Sequence, residues 1–106
     1  MEEQPNLSAI QELSRGDKAF ENKLLGVIKK ELPLEIEAYK KNLKERDFTQ
    51  TAEIVHKLKH KISILGFEKG YQTAIDYEEG ILHNDFLLQH TFEQILVKMR
   101  AFIEKF

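Results

Sequence analysis

The side chains best placed for chemistry lie between residues 52 and 63. The chain has four histidines and no cysteine, so thiolate catalysis, disulfides and Cys-ligated zinc are excluded together. His56 and His60 stand one helical turn apart, with Lys59 between them. With helical steps of about 100° per residue and His56 set at zero, the apolar arc centred on Leu58, Ile62 and Leu65 lies roughly 150° away. Thr49, Ala52, Glu53, Lys59, His60 and Ser63 share the His56 side. His56 is therefore expected to face solvent from the middle of a rigid helix. The small side chains of Ala52 and Ser63 keep its flanks low, so that a large partner can approach the ring. Lys59 is one turn on, within reach of an anion held at His56. A neutral imidazole so presented is a nucleophile.

A second carboxylate-bearing segment bears on the same ring. Glu78 lies among Ala74, Ile75, Ile81 and Leu82 on the inward arc of its own helix, where an ionised group needs a donor or an edge position. The turn between the two helices is centred near Phe67, and His56 and Glu78 are equally far from it. In an antiparallel hairpin such positions come out level. One reading has Glu78 accept a hydrogen bond from one ring nitrogen, leaving the other free to attack. The other has Gly80 fray the helix end and Glu78 reach water, since level alone does not fix direction.

The elements that position these groups are helices. Two prolines, five glycines and thinly scattered β-branched residues argue against a sheet. Behind Asp17 as N-cap, Phe20, Leu24, Val27, Ile28, Leu32, Ile36, Tyr39 and Leu43 recur at three- and four-residue steps. The stripe stays in phase across Pro33, so one long helix is expected there, kinked or loosened, in preference to a break. Asp47 caps the next helix, with Gln50 as a reciprocal partner. That helix carries Phe48, Thr51, Ile54, Val55, Leu58, Ile62 and Leu65 inward and ends at Gly66.

A third long helix starts near Glu68 and buries Tyr71, Ala74, Ile75, Ile81 and Leu82, with Gly80 and His83-Asn84-Asp85 marking the next turn. The last presents Leu88, Phe92, Ile95, Leu96, Met99, Phe102, Ile103 and Phe106. A short helix from Leu7 to Leu13, capped by Asn6 and stopped near Gly16, lids one end. The expected fold is all-α: an antiparallel four-helix bundle with a short extra N-terminal helix, forming one domain over 1–106.

Composition limits what such a bundle can do. The 106 residues are 42% hydrophobic and 32% charged, enough for one modest core but not for a deep pocket besides. The 16 basic and 18 acidic side chains intermingle, and the net charge of -2 favours neither nucleic acid nor an anionic membrane. No apolar run is long enough to span a bilayer, and Met1-Glu2-Glu3 is unlike a basic signal-peptide start, so a cytoplasmic protein is expected. No Gly-rich phosphate loop and no Asp cluster for Mg²⁺ is present, and no cofactor is expected.

The run His56-Lys57-Leu58-Lys59-His60-Lys61-Ile62-Ser63-Ile64-Leu65-Gly66 resembles the signature of histidine-containing phosphotransfer domains. That signature reads roughly H-x-[LI]-K-G, then a small residue and an apolar-Gly pair closing the helix. It covers about a tenth of the chain, and the order of helices around it fits the family end to end. The resemblance implies that His56 is the phosphoacceptor and that Lys59 helps hold the phosphoryl group. It also sets a polar side chain of the following helix, here Glu78, against the ring. The implied partners are the receiver domain of a response regulator, a hybrid histidine kinase, or both, docking over Ala52, His60 and Ser63.

The chain departs from the family at His60, where glycine is usual. A ring at that position restricts which receiver fits and offers a second acceptor. The spacings to Lys59, Ser63 and Gly66 are nonetheless counted from His56. Two other readings remain open. One is a bundle that binds a receiver without phosphotransfer. The other is a metal site from His56 and His60, with Glu53 as a third ligand, although no fourth is apparent. His83 and His90 read as solvated, and a monomer is expected because the stripes can be satisfied within one bundle.

Overall fold

The computed structural model describes residues 3–106; the acidic start at Met1 and Glu2, read above against a signal peptide, lies outside the described residues. The chain folds into α1 (Ser8–Ser14), α2 (Lys18–Lys44), α3 (Phe48–Ile64), α4 (Glu68–Leu82) and α5 (Gln89–Ile103), with no strand among the described residues. None of these helices is long and apolar enough to cross a membrane.

Side chains and backbone set the helix ends locally. Asp17 accepts from the Phe20 N–H at 3.1 Å and starts α2. Asp47 accepts from the Gln50 N–H at 3.2 Å and starts α3. The reciprocal bond expected from Gln50 is not made, because the Asp47 N–H already donates to the Asn42 carbonyl at 3.0 Å. Helix α1 begins at Ser8, one residue later than expected, and the Asn6 side chain accepts from the Ser8 N–H.

Three helices stop in the same way, each with a left-handed residue and two backbone bonds reaching back over the last turn. At the end of α3 the Phe67 N–H donates to the Ile62 carbonyl and the Gly66 N–H to that of Ser63. Gly66 has φ +88°, and a Cβ there would also meet the Asn6 side chain at 2.5 Å. Arg46 (φ 62°) and Asn84 (φ 58°) fill the equivalent positions after α2 and α4. Gly80 lies inside α4 and not in the turn, as the sequence had suggested. Its missing side chain lets the Asp85 carbonyl approach to within 2.7 Å of where a Cβ would stand.

Helix α3 packs on α2 and α4, α5 packs on α4 and α2, and α1 lies over α2 and α3. The core between them includes Leu32, Ile36, Val55, Leu58, Ile62, Ala74, Ile81, Phe92, Met99 and Ile103. Burying each large side chain of this set contributes roughly 1.5–3 kcal/mol. This burial carries α2 through Pro33, where a missing N–H would otherwise end the helix.

Four residues expected in the core are exposed, and Leu25 and Tyr77, not expected there, are buried. Phe20 and Val27 are 44% and 43% exposed, and Leu25 is buried in their place. Phe20 and Val27 recur with Leu34 at seven-residue steps on the outer face of α2, whereas the buried row follows the helical turn through Leu25, Ile28, Leu32, Ile36 and Tyr39. Leu82 and Phe106 stand at the ends of the last two helical stripes and are exposed as well. Tyr77, absent from the expected stripe, is fully buried.

Tyr77 belongs to a polar cluster inside the core. Tyr39 donates its hydroxyl to Glu93 at 2.8 Å, and Tyr77 donates to the Tyr39 oxygen at 2.7 Å. Phe92 packs against both rings. Burial pushes both phenols above their ordinary range, with Tyr77 and Glu93 adding to the effect on Tyr39. The cluster ties α2, α4 and α5 together through Tyr77, the residue that precedes Glu78.

Candidate functional site

Val55, Leu58 and Ile62 are fully buried and fix the rotation of α3. That rotation turns His56 outward, and its side chain is 52% exposed. Opposite it, Tyr77 and Ile81 pin α4 by the same kind of burial and bring Glu78 to the α3–α4 seam. The His56 Nδ1 atom lies 3.3 Å from both Glu78 carboxylate oxygens. Of the two readings of Glu78, the contact with the ring is the one observed.

Lys59 joins the same carboxylate. Its Nζ is 3.1 Å from Glu78 Oε1, with the side chain only 12% exposed. The sequence placed this ammonium within reach of an anion held at His56; in the fold it lies along the seam and shares Glu78 with the ring. A carboxylate accepting from both a ring N–H and an ammonium is well compensated for its partial burial. With Nδ1 engaged as donor, the Nε2 nitrogen of His56 is the one that carries the free lone pair.

His60 is exposed and stands edge-on to His56, with ring centroids 5.0 Å apart and planes at 89°. Ser63 is exposed one turn further along. Ala52, expected on the open face, is instead 4% exposed and belongs to the core. Its methyl group falls at the edge of the apolar arc and packs inward. It still floors a shallow hollow of about 490 Å³ beside His56, walled by Thr49, Glu78 and Leu82. Leu82 is 58% exposed there. Periodicity had put Leu82 in the core; its place in the last turn of α4, where the stripe runs out into solvent, was the signal that it would not be.

Lys61 behaves differently from Lys59, although it is also only 12% exposed. Its Nζ lies 3.0 Å from Glu31 and 2.9 Å from Glu35, across the α2–α3 seam. Burial alone would lower its pKa, but hydrogen bonds to Glu35 and Glu31 hold it above the ordinary lysine value. Among the described residues no group of three or more His, Asp or Glu side chains could hold a metal ion, so His56, His60 and Glu53 do not make a ligand set. His83 and His90 are both exposed, and His83 lies 3.7 Å from Glu79.

The arrangement offers a half-exposed imidazole, oriented by a carboxylate, next to an ammonium and a second imidazole. That combination suits nucleophilic attack on an electrophile brought by another molecule. Comparison of the chain with protein-family models, with curated proteins and with solved structures gives no significant match in any of the three.

Proposed function

We propose that this chain is a histidine phosphotransfer protein, which accepts a phosphoryl group on His56 and relays it to or from an aspartate of a receiver domain. The observation that carries the reading is the contact of Glu78 with His56 Nδ1, which leaves Nε2 as the unengaged nitrogen of a half-exposed ring. The resemblance of residues 56–66 to the phosphotransfer signature supports it independently. In this reading α2 to α5 form a single antiparallel four-helix bundle lidded by α1, monomeric and cytoplasmic. Its partners are the receiver domain of a response regulator, a hybrid histidine kinase, or both.

The Nε2 lone pair attacks phosphorus in line as the P–O bond of the aspartyl phosphate breaks. The bonding pair leaves on the aspartate oxygen, restoring the partner's carboxylate. Positive charge develops on the His56 ring as the N–P bond forms. The Glu78 carboxylate, accepting from Nδ1–H, stabilises that charge and holds the tautomer. Lys59 offsets the incoming phosphoryl charge. Reversal is chemically accessible because the N–P bond is itself labile. The sequence offers no nucleotide-binding motif, so Mg²⁺ and the remaining catalytic groups are the partner's.

Incubation of the purified protein with a phosphorylated receiver domain and Mg²⁺ tests this directly. Acid-labile, base-stable phosphate is expected on the wild type and on His60→Gln, and none on His56→Gln. Label that follows His60 would reassign the acceptor. No label from receiver or kinase donors would favour a receiver-binding adaptor that carries no phosphate.

A further inference from the structure

The face of His56 turned away from Glu78 has a resident of its own. His60 lies about 40° round the helix from His56, while Lys59 lies about 60° the other way, toward α4. The two rings meet edge to face at 5.0 Å. Glu78 occupies Nδ1, so a group on Nε2 stands on the side of the ring away from Glu78, with the His60 ring packed against the same imidazole. Lys59 is held in the seam by Glu78 at 3.1 Å, so its charge is already partly matched.

A phosphoryl group brings about two negative charges to this point. We infer that His60 is a phosphoryl-contacting residue, its protonated imidazole donating to the phosphoryl oxygens carried by His56. The inference rests on the phosphocarrier reading and adds a proton to it: phosphorylation of His56 and protonation of His60 favour each other.

The charged groups surrounding His60 limit the alternatives. On its own helix they are Glu53, His56, Lys57, Lys59 and Lys61. From α2, Glu31 and Glu35 are both taken by Lys61. From α4, Glu78 is taken by His56 and Lys59. None of the carboxylate bonds in these pairs goes to His60, so its largest electrostatic change on phosphorylation comes from the phosphoryl group. A unit charge about 5 Å away in water alters a proton affinity about fourfold, and added salt reduces the effect.

The test is an NMR titration of the His60 ring in the full chain, before and after phosphorylation with phosphoramidate, a donor that needs no partner protein. His60→Gln assigns the resonances, and Lys59→Gln is titrated in parallel. The proton affinity of His60 is expected to rise at least threefold when His56 carries phosphate, in the wild type and in Lys59→Gln alike. An unchanged His60 titration in protein labelled on His56 would overturn the inference and leave the phosphocarrier reading intact. Label on His60 itself would also overturn it. Failure of His56 to take phosphate from either phosphoramidate or a phosphorylated receiver would overturn both.

Discussion

Helix α3 carries two lysines of equal burial on opposite flanks, and their partners differ in one respect. Lys61 faces two carboxylates, Glu31 and Glu35, and holds both. Lys59 faces one carboxylate, Glu78, which it shares with an exposed histidine. On the Lys61 side the negative charges outnumber the positive, so the pairing locks α2 to α3. On the Lys59 side one carboxylate serves two donors, and an arriving anion can draw on the ammonium without leaving Glu78 unpaired. The same residue type, at the same depth on the same helix, is a bolt on one flank and a reserve of charge on the other.

The comparison can be broken in several ways. Removing Glu78 as Glu78→Ala should slow phosphotransfer to His56 roughly 100-fold, at the low end of what a positioned acid–base partner supplies. Glu35→Gln, on the other flank, should leave the rate unchanged in the same stopped assay. Equal losses from both would mean that Glu78 acts only through the fold. In thermal melts, Lys61→Met should cost about 2 kcal/mol, because the partly buried Glu35 loses its donor. Lys59→Met should cost under about 1 kcal/mol, since His56 still donates to Glu78.

Stability should fall as pH rises above about 10. The folded-state pKa values of Lys61, Tyr39 and Tyr77 are all raised, so their contribution is complete below the unfolded values and is lost as the groups deprotonate. Urea unfolding between pH 8 and pH 11 should show this decline, and Lys61→Met combined with Tyr39→Phe should flatten it. The smallest expected effect lies outside both flanks. Arg46→Gly should stabilise by no more than about 0.5 kcal/mol, because relief at a left-handed residue is partly offset by loss of the guanidinium over the Phe48 ring.

The number and type of helices were legible in the sequence because stripe, cap and stop agree at nearly every element. Asp17, Asp47 and Gly66 each mark a boundary by a local bond that needs no tertiary context. The level of Glu78 with His56 was legible too, since an antiparallel turn makes it a matter of counting. Side-chain direction across the seam was not. The bond from Lys59 to Glu78 depends on how α3 and α4 rotate against each other, and no spacing within one helix encodes that.

The core cluster of Tyr39, Tyr77 and Glu93 escaped for another reason. Periodicity counts tyrosine as apolar and glutamate as polar, and so separates groups that the core joins. Phe20 and Val27 misled because each stands one residue, about 100° round the helix, before a member of the buried row, Glu21 and Ile28. Spacing within one helix does not show which of two neighbouring rows faces the core.

The central claim is that His56 carries phosphate on the nitrogen that Glu78 leaves free. Phosphorus–nitrogen coupling in protein bearing ¹⁵N-labelled histidine rings, phosphorylated by a receiver domain, reads both the residue and the atom. A single coupling to Nε2 of His56, absent in His56→Gln, is the predicted result. Coupling to Nδ1 of His56, or to a ring of His60, would contradict the account.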